Sequence, residues 1–257
     1  MSFWDIFDLA SPAAFAAAAV AVVFAGFLRG FVGFGAALVT APVLSLAFSP
    51  TIAVAIAFLS GLPAVVQLLP TAIRYADRPF ILPVAIGCFL FAPVGAFVLV
   101  AGDPRLLKIG IAAAVVLMTM LMWRGWRFAG APGRPVLFVA GAIAGVLQGL
   151  AGIGGPPVVT VALARPGAPE TQRGNVLAAV TALTLAAAIP FWGLGLFTAE
   201  ALWLSLLFVP LHTAAAWGGT ICFEKIGRRH YRRAALTALT VVGVASLVAA
   251  LQDYLSG

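Results

Sequence analysis

The chain has 257 residues, of which 63% are hydrophobic and 9% charged, and its mean hydropathy is +1.12, a composition that excludes a water-soluble domain. A formal charge of +7 would point to nucleic acid in a soluble protein, but here the basic residues lie between apolar runs, where they set topology, so no nucleic-acid partner is expected. Cys88 and Cys222 both sit inside apolar runs without metal-ligand spacing, so neither a metal nor a cofactor is expected.

Taken in order, the first eleven residues carry Asp5 and Asp8 but no Lys or Arg. The basic start of a cleavable signal is missing, and the first apolar run is expected to remain in the mature protein. Apolar runs follow at Pro12 to Phe48, Thr51 to Ile73, Pro79 to Ala101 and Pro104 to Trp123. A second set covers Pro135 to Ala164, Pro169 to Pro190, Ala201 to Phe223 and Ala234 to Leu251. They lack two-residue alternation, so they read as helices and not as barrel strands. Ser49-Pro50 and Asp103-Pro104 place a capping side chain before a proline, a helix start that does not need the missing N–H. The fold class is an all-α polytopic membrane protein, with residues 1–257 forming a single transmembrane domain.

The chain also repeats itself. AGFLRGFVGFGAALVTAP, from Ala25 to Pro42, returns 119 residues later as AGVLQGLAGIGGPPVVTV, from Ala144 to Val161, and Pro50 falls on Pro169 in the same register. This predicts two homologous repeats, 12–123 and 135–251, joined by the basic, Gly- and Pro-rich link 124–134 at the membrane surface. A spanning helix needs about 20 residues, and Pro12 to Phe48 is far longer. Each repeat therefore opens with one long tilted helix, or with a glycine-broken helix or re-entrant hairpin, followed by three spanning helices. Basic residues separate the options. A single crossing splits them nine against five, whereas a run that turns back leaves only Arg105 and Lys108 on the far side. The second option obeys the positive-inside rule, with the termini outside, the link inside and the repeats inverted, an architecture whose substrate sites lie where broken helices meet.

The chemistry concentrates at the breaks. Gly30, Gly33 and Gly35, with Gly149, Gly152, Gly154 and Gly155, would let the backbone turn and leave N–H groups free, and the half-helices starting at Ala36 and Pro156 would aim their positive ends back at the turns. The alternative reading is that these glycines only let helices approach closely. Arg29 is a basic residue deep in an apolar run, where charge is costly and usually has a task, and its forked donors suit carboxylate or sulfur-oxyanion oxygens. The alternative is that it snorkels to a surface. Its register partner is the neutral Gln148, which implies one positive charge and a small anion of low charge. Asn175 and His212 are further polar candidates, since a membrane His either bonds to a neighbouring helix or passes protons. All eight acidic residues fall at run ends or in links, so no carboxylate is placed to bind a coupling ion. A Walker loop is missing, which excludes ATP drive by this chain.

The paired motifs GFVGFGAALVTAP and GLAGIGGPPVV, one opening each half, resemble the sulfite exporter TauE/SafE family of bacterial permeases. The resemblance implies a multi-pass plasma-membrane transporter of sulfite, sulfoacetate or a related sulfonate or carboxylate, with the motif glycines in the binding site. Two departures stand out: Ala36 and Ala37 where the family often has a third glycine, and Gly174-Asn175-Val176 where Gly-Thr-Ser is usual. The expected partners are a small anionic substrate and membrane lipid, with self-association into a homo-oligomer left open. The rival readings are an anion channel of the same fold and a membrane-embedded enzyme. The latter is disfavoured because His212 has no catalytic partner within its own run.

Overall fold

The computed structural model describes residues 11–32, 34–123, 132–164 and 169–226, with a few positions between 244 and 255. Gly33, most of the link 124–134, the basic cluster beyond Ile226 and nearly all of the last run lie outside the described residues. Among the described residues there are nine helices and no strand. They are α1 (Pro12–Val32), α2 (Ala36–Ala47), α3 (Pro50–Tyr75), α4 (Arg78–Ala101), α5 (Pro104–Trp123), α6 (Arg134–Ala151), α7 (Gly155–Ala164), α8 (Pro169–Gly193) and α9 (Ala199–Ile226).

The caps act where the sequence places them. Ser49 accepts a hydrogen bond from the Ile52 N–H at 3.4 Å with Pro50 opening α3, and Asp103 Oδ1 accepts from the Arg105 and Leu106 N–H groups at 2.8 and 3.2 Å at the start of α5. Each satisfies a donor that the first helical turn leaves without an intrahelical partner. Six described helices are long and apolar enough to cross a membrane: α1, α3, α4, α6, most of α8 and most of α9. Large apolar side chains on their outer faces, such as Trp192 at 78% exposure and Ile73 at 74%, would be costly in water and suit lipid. The chain is a multi-pass membrane protein.

Both long first runs are broken at their glycines. The first piece in each is a full span, since α1 with 21 residues rises about 31 Å at 1.5 Å per residue. The second is short: α2 has 12 residues and α7 has 10. In the first half the short piece doubles back. Phe48, just past the end of α2, meets Phe15, in the first turn of α1, edge to face at 5.7 Å between ring centroids. Leu44 and Phe48 share an apolar cluster with Ala18 and Val22 of α1. The opening unit is therefore neither one tilted helix nor two equal half-helices, but a span followed by a short returning helix.

Glycines also set the tightest helix contacts. A side chain on Gly141, Gly145 or Gly149 of α6 would run into the backbone of Val84, Cys88 or Ala92 on α4, and one on Gly87 or Gly95 of α4 would strike Phe138 or Val146 on α6. In the other half, Gly26 and Gly30 of α1 face the carbonyls of His212 and Ala216 on α9, while Gly219 of α9 faces the Phe27 carbonyl. Small residues at four-residue spacing permit such backbone approach in a membrane, where lipid offers no hydrophobic drive to press helices together. Register-matched glycines, Gly26 with Gly145 and Gly30 with Gly149, thus serve the same purpose in both halves: each opening helix packs against the fourth helix of the other half.

Candidate functional site: a cavity between the two helix breaks

The two breaks are built differently. In the second, Gly152 adopts the left-handed conformation at φ +71°, its N–H donates to the Gln148 carbonyl at 2.8 Å, and the Ile153 N–H donates to the Leu147 carbonyl at 3.3 Å. The Gly152 bond is that of an αL helix ending, which favours glycine at the left-handed position. The Gln148 side chain then completes the turn, since its Oε1 accepts from the Gly154 N–H at 3.2 Å. In the first break Gly35 is left-handed at φ +93° and begins α2 without a side-chain cap.

The breaks face each other. The Phe34 ring lies 3.5 Å from where a side chain on Gly155 would start, and the Ala37 methyl 3.4 Å from the same point on Gly152. Between them is a partly open cavity of about 390 Å³, counting the space at its mouth, lined by Gly35, Ala36, Gly152 and Gly155 together with Arg29 and Gln148. A second lobe, sharing Arg29, Gln148 and Gly152, extends to Gly61 of α3, and Thr184 of α8 lines both. Gly61 is the twelfth of 26 residues in α3 and Thr184 the sixteenth of 25 in α8, so the cavity lies at mid-height of these two helices. Long-range packing thus brings together Arg29 and Gln148, which stand 119 residues apart.

Arg29 is the one charged group among the described residues lining either lobe. Its Nε is buried without a hydrogen-bond partner, and its Nη1 reaches to 3.6 Å from the Gly61 position, which leaves the guanidinium room because it has no side chain. Donors and dipoles add to this charge unequally. The first turn of α2, Ala36 to Leu38, retains its N–H groups, whereas the first turn of α7 holds Pro156 and Pro157, which have none. Both helices point a positive end at the cavity, and in the first the Leu38 N–H donates back to the Gly35 carbonyl at 3.1 Å. Thr184, whose hydroxyl donates to the Val180 carbonyl at 2.9 Å, contributes acceptor lone pairs at the wall.

The remaining candidates sit elsewhere. Gly30 and Gly149 are used in the helix contacts described above. Gly154 closes the turn against Gln148 and the Ala144 carbonyl. Asn175, only 2% exposed, accepts the Asp77 N–H on its Oδ1 at 2.7 Å and so ties α8 to the α3–α4 link. His212 is buried on α9 behind Gly26 and lines neither lobe. Asn175→Leu is expected to remove the acceptor of the part-buried Asp77 N–H and lower stability by about 1 kcal/mol, read as a lower melting temperature in detergent with the ligand response intact. Gly61 and Thr184 escaped the reading of the motifs because they lie outside them. The register offered a signal, since Gly61 matches Val180, which also lines the cavity.

The family model described as sulfite exporter TauE/SafE matches residues 18–246, nearly the whole chain. Neither a curated protein nor a solved structure matches it significantly.

Proposed function

Because the chain belongs to the sulfite exporter TauE/SafE family, a family of membrane transporters, we propose that it is a secondary permease for a small sulfur-containing or organic anion. Sulfite, sulfoacetate and related sulfonates or carboxylates are the substrate class, and alternating access at the cavity between the two breaks is the mechanism. The observation that carries this reading is Arg29, a guanidinium without a carboxylate counter-ion among the described residues lining the cavity, at mid-height of α3 and α8. An intramembrane charge costs about 2.5–3.5 kcal/mol on insertion scales, and a bound anion is what would repay it.

In this reading the Arg29 fork and the N–H groups at the start of α2 hold the anion's oxygens, Gln148 offers its amide N–H₂, and Gly35, Gly152 and Gly155 give the backbone room to approach. The swapped contacts, α1 on α9 and α6 on α4, would move as rigid bodies about the fixed site. In the same reading the halves are inverted repeats in the bacterial inner membrane, with the termini outside and the basic link inside, an arrangement that the distribution of Lys and Arg favours.

Flux in proteoliposomes tests this. Uptake of labelled sulfite or sulfoacetate is expected to saturate with concentration and to be accelerated by the same anion on the opposite side, a sign of alternating access. Flux that stays linear in concentration and shows no acceleration from the far side would assign the fold to a channel instead.

A further inference from the structure

Three buried side-chain atoms among the described residues lack a hydrogen-bond partner: Nε of Arg29, Nδ1 of His212 and Oγ1 of Thr213. All three lie on α1 and α9, the pair of helices that Gly26 and Gly30 allow into backbone contact, with the His212 carbonyl in the space a side chain on Gly26 would fill. An orphaned buried polar group costs about 1–3 kcal/mol, and an ionisable side chain kept within a membrane usually marks a pathway or a relay. His212 is 1% exposed, and its carbonyl packs on Gly26, about one helical turn before Arg29 on α1.

Among the described residues of the helices packed around His212, other charges lie at the helix ends. α1 carries no titratable group but Arg29, and α2 carries none. α3, which also packs on α9, has only Arg74 and Tyr75, both in its last turn. α9 itself has Glu200 in its first turn and Cys222, Glu224 and Lys225 near its end, each ten or more residues from His212 and so about 15 Å or more along the axis. Among the described residues of these helices, Arg29 is thus the one charged group on the stretch of α1 that packs on α9 at His212 and Ala216. The described carboxylates Asp77, Asp103 and Glu200 lie in links or at a helix end.

We propose that His212 is a proton-binding residue coupled to the anion at Arg29, so that one proton travels with each anion. The proposal rests on the anion reading given above. With the cavity empty, a proton on Nδ1 would set a second positive charge beside Arg29 in a region of low dielectric, where like charges repel strongly. An anion on the guanidinium cancels that repulsion and lets the neutral imidazole become imidazolium. Linkage makes the effect reciprocal, so protonation of His212 strengthens anion binding by the same factor.

The test uses the full-length protein in detergent and methanesulfonate, an anion whose charge is fixed across the range studied. Its affinity is measured by calorimetry at about pH 5.5 and about pH 7.5, either side of the ordinary imidazole range, in buffers of different protonation enthalpy that count the protons taken up. The wild type is expected to bind on the order of tenfold tighter at the lower pH, within the usual span of coupling factors, with proton uptake that is largest where the free imidazole is neutral and the liganded one charged and that falls away at higher pH as both become neutral. His212→Gln and His212→Asn should bind at one pH-independent affinity without proton uptake. A wild-type affinity that ignores pH, with no proton taken up, overturns the proton site and leaves the anion site standing. Undiminished pH dependence in both variants overturns it equally. No anion binding at any pH removes both readings. The wild-type proton count needs no variant, so the proposal stays testable even if one substitution fails to fold.

Discussion

Arg29→Gln is expected to abolish the thermal stabilisation that anions confer on the purified protein while leaving its unliganded melting temperature unchanged or higher. The two effects have opposite signs for one reason. Glutamine removes an intramembrane charge that costs about 2.5–3.5 kcal/mol on insertion scales, which relieves the empty protein. It also removes the one cationic group among the described residues lining the cavity, which disarms the site. For a ligand that binds only the folded state at about one hundred times its dissociation constant, the lost stabilisation is about 2.7 kcal/mol. A panel of sulfite, thiosulfate, sulfoacetate and acetate, with taurine and neutral controls, identifies the responsive class. Arg29→Lys should give an intermediate result, because a point charge on a flexible stem replaces a rigid fork. A variant that melts lower without ligand yet keeps the full anion shift would make Arg29 a structural residue and remove the basis of the proposed mechanism.

The second large effect concerns folding. Gly149→Val and Gly30→Val should each reduce stability by about 3 kcal/mol or more, the upper part of the range for overpacking, and cut the yield of monodisperse protein in detergent. Each added side chain would meet backbone, that of Ala92 on α4 for Gly149 and that of Ala216 on α9 for Gly30. Backbone cannot rotate out of the way as a side-chain tip can. Gly218 provides the contrast, since no atom lies within 4 Å of its added methyl group. Gly218→Ala should be neutral or stabilising by up to about 1 kcal/mol, the helix-propensity gain of alanine over glycine. Equal losses at Gly149 and Gly218 would show that the glycines act through backbone freedom and not through close packing.

The helices, their caps at Ser49 and Asp103 and the breaks after α1 and α6 were legible in the residues alone, because capping, apolar run length and left-handed glycine are local properties of a chain. The 119-residue register and the family motifs were legible for the same reason, being patterns along one dimension. What Gly30 and Gly149 do was not. Both belong to the motifs that open each half, and a glycine in such a motif can turn the backbone or admit a neighbouring helix. Only the arrival of α9 and α4 against them decided for packing, while Gly35 and Gly152 kept the turns. The cavity wall depends on tertiary structure still more: Gly61 and Thr184 join Arg29 there because α3 and α8 cross beside the breaks. The prolines opening α7 were visible from the start, but that they remove N–H groups which the first turn of α2 retains matters only once the two helix ends face each other. Local sequence sets which groups are offered, and long-range packing, which no periodicity encodes, sets what they meet.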